Sequence, residues 1–297
     1  MITKAVIPAA GRGTRLLPAT YALPKEMLPC GKKPTIQYVV EELAAAGVKD
    51  ILIITGRAKG ALVDHFDIDD IFIEKLKNSG NTVLLEEMQN LEKLNVQIKY
   101  YFTRQAQPTG LADAIYLAKD FVGADPFFVA LGDTIIISTP LGHYLNRLAQ
   151  LYAKQSAIGI IGLEKVSREE VEKYGIIKGT EHDRGTWEIT DVIEKPKMAL
   201  APSQVAICGR YIFTPEIFQA IEKTSIGIGN EKQLTDAIKI LIEEKNTIWG
   251  LEMDKIEKRY DIGNPFTYAV AFLELSLLDP MINKQLRPYL KDLAKKI

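Results

Sequence analysis

The chain has 297 residues, of which 47% are hydrophobic and 25% charged, a balance typical of a globular protein with one large domain or two smaller ones. Its 37 basic and 38 acidic residues give a formal net charge of -1, which argues against binding to nucleic acid or to an anionic membrane. No stretch approaches the roughly 20 apolar residues of a membrane span, and the first residues predict no signal peptide. The two cysteines, Cys30 and Cys208, lack ligand-like neighbours, so we expect free thiols and a cytoplasmic protein.

Strand and helix patterns alternate through the first half of the chain. Apolar runs predict strands at Lys4–Pro8 and Asp50–Thr55, and the apolar stripe that follows Pro34 predicts a helix between them. Beyond them the patterns predict, in order, a helix, a strand, a helix and a strand, over 68–94, 96–103, 111–121 and 126–131. Alternation this regular is typical of an α/β sheet with mostly parallel strands and with helices on both faces.

The second half of the chain has a different character. After a helix predicted over 141–155, strands are predicted over 157–163, 186–193, 205–213 and near 255–261. Helices are predicted over 215–223, over 231–245 and in a C-terminal pair. Because no repeat, low-complexity tract or linker interrupts the chain, we predict a single mixed domain over 1–297, with a first half of about 1–135 and a second of about 136–297.

A glycine-rich loop follows the first predicted strand. Gly11 and Gly13 allow backbone N–H groups to approach an anion, and Arg15 can add a charge-assisted hydrogen bond. The loop is neither a G-x-G-x-x-G motif, since Leu16 replaces the last glycine, nor a Walker A loop. A tight turn without a ligand explains the same residues equally well.

Other polar residues also follow apolar runs, where the ligands of open α/β sheets bind. Asp133 and Asp261 each end a predicted strand, and carboxylate oxygens there suit Mg²⁺, although aspartate also caps turns. Lys25 lies between prolines that stiffen its loop, so it is either a phosphate-binding ammonium group or a solvated loop lysine.

Glu194 and Lys195 end another predicted strand, just before Pro196. Adjacent strand residues face opposite ways, so both reach one ligand only if the strand twists or breaks, as the proline makes plausible. The three histidines have no motif around them, and no Gly-x-Ser-x-Gly elbow or activated cysteine is present in the sequence. A covalent mechanism therefore has no candidate nucleophile.

The ordered motifs resemble those of the bacterial UTP–glucose-1-phosphate uridylyltransferases, within the sugar-phosphate nucleotidyltransferase superfamily. The likeness is carried by Ala9-Ala-Gly-Arg-Gly-Thr-Arg15, Pro24-Lys-Glu-Met-Leu-Pro29, Leu131-Gly-Asp133, Val192-Ile-Glu-Lys-Pro196 and Lys258-Arg-Tyr-Asp-Ile-Gly-Asn264, and it runs nearly end to end. The resemblance implies a Rossmann-like mixed sheet flanked by helices. It also implies synthesis of UDP-glucose and pyrophosphate from UTP and glucose-1-phosphate, with Mg²⁺ as cofactor.

The resemblance also assigns roles to residues. In the half over 1–135, the backbone from Ala10 to Gly13 would receive the nucleotide, Arg15 and Lys25 its phosphates, and Gln105 with Gly110 its base. A homodimer or homotetramer is expected as well, with an apolar C-terminal helix over 268–278 either at the interface or covering the core.

In the second half, the resemblance places Gly175, Glu194 and Gly209 around the sugar. Lys195 would bind the sugar phosphate, and Asp133 with Asp261 would hold Mg²⁺. Arg15, Lys25 and Lys195 would be the cations that act in the reaction.

Three positions depart from the family pattern. Tyr21 replaces a lysine, 110–114 reads Gly-Leu-Ala-Asp-Ala, and Thr134 follows Asp133 in place of a second aspartate. The form at 110–114 looks more like the related thymidylyltransferases. Two alternatives therefore stay open: a dTTP-using or broad-specificity sugar-1-phosphate nucleotidyltransferase, and a non-catalytic paralogue that binds sugar nucleotides.

Overall fold

The computed structural model describes residues 1–67 and 69–296. The strands are β1 (Lys4–Pro8), β2 (Pro29–Cys30), β3 (Lys33–Pro34), β4 (Asp50–Thr55), β5 (Lys99–Arg104), β6 (Phe127–Ala130), β7 (Thr134–Ser138), β8 (Gly159–Lys165), β9 (Gly175–Glu181), β10 (Thr186–Glu194), β11 (Val205–Phe213), β12 (Ile248–Glu252) and β13 (Glu257–Asp261). The α-helices are α1 (Thr35–Ala45), α2 (Gly60–Asp64), α3 (Asp70–Ser79), α4 (Thr82–Gln97), α5 (Leu111–Tyr116), α6 (Lys119–Val122), α7 (His143–Gln155), α8 (Glu216–Lys223), α9 (Leu234–Glu243), α10 (Pro265–Leu278) and α11 (Pro280–Ala294).

Nine strands form one mixed sheet in the order β5-β4-β1-β6-β11-β8-β12-β10-β9. The pairs β5–β4, β4–β1, β1–β6 and β8–β12 are parallel, and the other neighbouring pairs are antiparallel. The predicted mixed α/β fold is confirmed. The parallel pairs make up half of the sheet rather than most of it, because β11 runs against both of its neighbours and β10 and β9 form an antiparallel edge.

Helices cover both faces of this sheet, as the alternation predicts. On β1, Ala5 and Ile7 point into a core shared with α1 and α7, whereas Val6 points into the core shared with α5, α8 and α9. Strands covered on both faces read as continuous apolar runs, and β11 is buried along its whole length. This explains why β1, β4 and β11 are the strands that the sequence predicts most clearly.

The helix predicted over 68–94 is in fact two helices, α3 and α4. Position 68, the first of the predicted range, lies outside the described residues. Gly80 ends α3 in the left-handed conformation at φ 69°, and the Asn81 side chain caps α4 by accepting from Leu84 N. Because α4 continues to Gln97, the following strand begins at Lys99 rather than at 96. The sequence patterns do not predict β7, β9 and β12.

The C-terminal pair, α10 and α11, packs partly on the body of the protein. Ala271 and Leu275 of α10 are buried in a small core with Tyr260 and Ile262, whereas Phe266 and Leu278 are exposed. In the described part of the chain, no single helix is long and apolar enough to cross a membrane; α10 and α11 pass that test only as a pair, bent by 118°.

Candidate functional site

A cavity of about 650 Å³ opens at the carboxyl ends of β1, β5 and β6, where an open α/β sheet binds its ligands. Its wall contains twelve of the thirteen residues that the sequence and the resemblance single out: Ala10, Gly11, Arg15, Lys25, Gln105, Gly110, Asp133, Gly175, Glu194, Lys195, Gly209 and Asp261. Segments separated by up to about 250 residues thus meet around one space. The roles given to these residues remain predictions.

Gly13, the thirteenth residue, lies outside this wall and shapes the loop instead. Its φ of 65° is left-handed, and a Cβ there would meet the Thr20 and Lys25 side chains at 3.2 and 3.3 Å. Its carbonyl oxygen accepts a 2.7 Å hydrogen bond from Thr20 Oγ1. Glycine is therefore required by the turn itself, in agreement with the tight-turn interpretation, while Gly11 faces the cavity.

A buried ion pair supports the loop from behind. Lys59 Nζ lies 2.8 Å from Glu26 Oε2 and also donates to the Ala9 carbonyl, just before the loop begins. Burial raises the pKa of Glu26 and lowers the pKa of Lys59, although each charge partly offsets the shift in the other. Sequence inspection missed Lys59, because only the fold brings it to a loop 50 residues earlier.

The two aspartates predicted to hold a metal are neighbours. The β7–β13 ladder pairs Asp261 with Thr134, and Ile262 N donates to the Asp133 carbonyl oxygen at 3.0 Å. Asp133 also accepts a 2.5 Å hydrogen bond from Lys25 Nζ. The carboxyl ends of two unconnected strands therefore bring together residues that lie 128 positions apart in the sequence.

The pKa values of the two aspartates are shifted in opposite directions. Burial tends to raise the pKa of Asp133, but the Lys25 ammonium group, together with a backbone hydrogen bond and Arg15, more than offsets this and lowers the pKa. Burial and the nearby Asp133 charge both raise the pKa of Asp261. A bound cation would relieve the repulsion between the two adjacent carboxylates, and their oxygen donors match what Mg²⁺ prefers. The residues present therefore fit a divalent cation.

The predicted base-binding loop is held by its own polar contacts. Gln105 Nε2 donates to the Gly110 carbonyl oxygen at 3.1 Å and to Thr109 Oγ1 at 3.3 Å. Asp113, one of the departures from the family pattern, accepts from Thr109 Oγ1 and lies 3.9 Å from Lys232 Nζ. Asp113 therefore takes part in holding this loop.

Gly110 allows a close approach between this loop and a distant segment. It has φ 117° and ψ 170°, and a Cβ there would lie 2.4 Å from the Lys232 carbonyl oxygen. Lys232 N donates to the Thr109 carbonyl oxygen at 2.8 Å, and Ala112 N donates to the Lys232 carbonyl oxygen at 3.2 Å. A glycine is therefore needed for both conformation and space.

The predicted sugar side is built on the antiparallel edge of the sheet. Glu194 pairs with Gly175 in the β9–β10 ladder, and its Oε2 accepts from Thr235 Oγ1 at 3.1 Å. Lys195 has φ 45°, so the strand breaks there and its ammonium group turns back to within 2.9 Å of Glu194 Oε1. The break beside the proline accounts for two adjacent residues facing one space.

Arg259 is a cavity residue that the sequence did not single out. Its guanidinium group pairs with Glu164 and lies 4.6 Å from the ring centroid of Tyr174, and its side chain is largely buried. It lies two positions before Asp261, on the same face of β13, because strand residues alternate. Arg259 belongs to the motif over 258–264, but its position in the cavity wall becomes evident only from the pairing of β13 with β7.

Comparison with known proteins defines the class of this protein. A family described as nucleotidyl transferase matches residues 4–276. The UTP–glucose-1-phosphate uridylyltransferase of Bacillus subtilis (strain 168) is 42% identical over 295 residues, covering 99% of this chain and 98% of that protein. The chain therefore belongs to the nucleotidyl transferase family, and the resemblance that the motifs indicated is confirmed.

Two solved structures extend the similarity to the fold. The UTP-bound UGPase from Acinetobacter baumannii has a TM-score of 0.89 at 31% identity and covers 99% of this chain and 100% of that one. A UDP-glucose pyrophosphorylase complexed with UDP-glucose has a TM-score of 0.82 at 39% identity, with 92% and 97% covered. The mixed sheet flanked by helices is thus the fold of these enzymes.

Proposed function

We propose that the protein joins UTP to alpha-D-glucose 1-phosphate and produces UDP-glucose and pyrophosphate. The single observation that carries this proposal is the cavity, where the glycine-rich loop, the aspartate pair and the Glu194–Lys195 break meet in a chain whose relatives carry this activity. In this proposal, the half before about residue 135 binds the nucleotide and the half after it binds the sugar phosphate.

The reaction is a direct in-line displacement. A phosphate oxygen of glucose-1-phosphate forms a bond to the α-phosphorus of UTP while the bond to the pyrophosphate oxygen breaks on the opposite side. The nucleophile is already an anion and needs no general base, which agrees with a described cavity wall that contains no histidine. The obstacle is repulsion between two polyanions, which Arg15, Lys25 and Lys195 reduce by their positive charge.

Mg²⁺ belongs to this proposal, with Asp133 and Asp261 as its protein ligands. Bound there, the ion would neutralise charge that develops on the phosphates and help to align them. Lys25, which lies on Asp133 in the free protein, would turn its ammonium group toward a nucleotide phosphate. Alignment of the two substrates in the cavity contributes up to roughly 7–11 kcal/mol in favourable systems.

The orientation of Gln105 supports a uracil-type base. An isolated amide side chain can turn over, but the Gly110 carbonyl accepts only from the amide nitrogen, which leaves the Gln105 oxygen to meet a base. That oxygen can accept from the N3–H of uracil or thymine, whereas cytosine has no proton at N3 and offers only its 4-amino group as a donor. Uracil and thymine differ by one methyl group, a difference worth about 1–3 kcal/mol in an apolar pocket.

Gly110→Ala should weaken UTP binding because the added Cβ displaces the Lys232 backbone. We expect the KM for UTP to rise about tenfold and the free energy of unfolding to fall by about 1–3 kcal/mol. Steady-state kinetics and thermal unfolding measure the two effects. The control is Gly80→Ala, where φ is 69° but no heavy atom lies within 4 Å of the new Cβ. An unchanged KM for UTP in Gly110→Ala would contradict the assignment of this loop.

Lys195→Ala should affect glucose-1-phosphate far more than UTP, because its ammonium group belongs to the sugar side of the cavity. We expect the KM for glucose-1-phosphate to rise about 10- to 100-fold with a smaller change in kcat. Lys197→Ala, an exposed lysine two residues further on, is the control. Equal KM increases for both substrates would show that Lys195 does not distinguish them.

The proposed function is tested by pyrophosphate release with Mg²⁺ and glucose-1-phosphate, comparing UTP, dTTP, CTP, ATP and GTP, each repeated with EDTA. Release that depends mainly on UTP and stops with EDTA supports the reaction, the base and the metal together. Preference for dTTP would favour the thymidylyltransferase alternative, which the Gly-Leu-Ala-Asp-Ala segment over 110–114 supports. No release with any nucleotide would favour either another sugar phosphate as the substrate or the non-catalytic alternative.

A cytoplasmic location and a homodimer or homotetramer are further parts of the proposal. Both cysteines are buried free thiols, which suits a reducing compartment. Phe266, Phe272 and Leu278 leave apolar surface on α10, beside the residues with which that helix covers the small core. Light scattering of the purified chain measures the oligomeric state.

A further inference from the structure

A fully buried arginine lies directly beneath the loop that carries Asp133. Arg210, on β11, has no exposed surface and does not belong to the cavity wall, although its neighbours Gly209 and Tyr211 do. Its charge partner is Glu42 of α1, 168 residues earlier and also buried. The resemblance gives neither residue a role, although Arg210 stands inside the matching segment Gly209-Arg-Tyr211.

The guanidinium group of Arg210 contacts both ends of the turn over 131–134. Its Nη2 donates to the Thr134 carbonyl oxygen at 2.8 Å, and its Nη1 approaches the carbonyl oxygens of Leu131 and Gly209 at 3.4 Å. Thr134 N in turn donates to the Leu131 carbonyl oxygen at 3.2 Å. The turn that presents Asp133 to the cavity is therefore fixed at both ends from below.

Arg210 contacts only one of the two carboxylate oxygens of Glu42. Nε and Nη2 both donate to Glu42 Oε2, at 3.0 and 2.7 Å, while Glu42 Oε1 has no hydrogen-bond partner among the described residues. A fork-to-fork pair would use both carboxylate oxygens. Here the remaining N–H groups point to loop carbonyls instead, and a buried pair is by itself weak evidence for stability.

We propose that Arg210 and Glu42 are positioning residues that set the place of the Asp133 carboxylate and thereby the affinity of the site for a divalent cation. The inference rests on the proposed function, since Asp133 is a metal ligand only there. Groups that orient metal ligands from behind typically change metal affinity or activity by about 10- to 100-fold when removed.

The test uses a double variant, Arg210→Met with Glu42→Gln, so that no unpaired charge is left buried. Mn²⁺ binding is followed by electron paramagnetic resonance in the presence of UTP, alongside thermal unfolding and the Mg²⁺ dependence of the rate. We expect the dissociation constant for Mn²⁺ to rise about tenfold or more. The rate should recover in part at high Mg²⁺, and the KM for glucose-1-phosphate should change less than twofold.

Arg210→Lys should lower the Mn²⁺ affinity less than the double variant does, because the ammonium group keeps the positive charge. Some affinity should still be lost, because one ammonium group cannot span Glu42 and the two ends of the turn. The matched control is Lys165→Met with Glu252→Gln, a charge pair joined at 3.2 Å with a largely buried glutamate, for which no bond to 131–134 is found among the described residues. Its Mn²⁺ affinity should stay within twofold of the unaltered chain, whatever its thermal stability.

An Mn²⁺ affinity of the double variant within twofold of the unaltered chain would overturn the inference, as would an equal loss in the control pair. Failure of the proposed function has a different result: Mn²⁺ binding by the unaltered chain would then be absent or would survive Asp133→Ala. That outcome removes the premise and is recognised before any variant of Arg210 is measured.

Discussion

Asp133→Ala is expected to lower kcat by about 10³-fold at saturating substrates, the largest effect of any single substitution in the cavity. The carboxylate is one of only two that the proposal gives to Mg²⁺, and it lies in the cavity wall just beyond the end of β6. The substitution also leaves the Lys25 ammonium group without its partner. Steady-state kinetics over a range of Mg²⁺ concentrations measure the loss, and we expect little recovery at high Mg²⁺.

The control for this substitution is Asp50→Ala. Asp50 is the first residue of β4, at the end of the parallel strands opposite to the cavity. The Asp50→Ala variant should therefore keep near-native turnover. Near-native turnover in Asp133→Ala itself would mean that the metal assignment is wrong.

Lys25→Gln is expected to produce the second-largest loss, about 10²-fold in kcat/KM for UTP, because a partly buried ammonium group no longer compensates a phosphate. In the free protein, the same substitution should strengthen metal binding. With Asp133 freed from its 2.5 Å ion pair, the site should bind Mn²⁺ more tightly in the absence of nucleotide. Kinetics and Mn²⁺ titration measure the two effects on one preparation.

Lys32→Gln is the control for Lys25→Gln, since Lys32 lies seven positions further on and pairs with Asp279 and Glu87 away from the cavity. It should change neither quantity by more than about twofold. Weaker Mn²⁺ binding in Lys25→Gln would indicate that Lys25 supports the shape of the site rather than competing with the metal.

The sequence predicts strands of two kinds: β1, β4, β6, β8 and β11, which are buried along most of their length, and the more exposed β5, β10 and β13. Among the strands that it misses are β7, β9 and β12. β9 contains Gly175 and Gly179 and an exposed Lys178, and β12 is interrupted by Gly250, so neither shows a long apolar run. β7 follows β6 after only three residues, and a pattern of side chains cannot show that the chain changes sheets there. A strand is thus identified in the sequence by a sufficiently long run of apolar, β-branched or aromatic residues, whether one of its faces or both are covered.

The candidate site shows a similar division. Residues in local motifs could be identified from the sequence, because Asp133 and Lys195 follow apolar runs and Lys25 lies between prolines. Residues that act through distant partners could not. Lys59 reaches the Ala9 carbonyl and Arg210 reaches Glu42 only because the sheet brings them together, and no spacing in the sequence encodes those contacts.

The contact between Gly110 and Lys232 has a consequence for engineering. Loops that bind a base are often regarded as units that can be transplanted from one enzyme to another. Here the segment over 105–114 takes its shape from two backbone hydrogen bonds to Lys232, more than a hundred residues away. The loop and the backbone around Lys232 would therefore have to be transplanted together. A graft of the loop sequence alone would not reproduce the conformation of the loop.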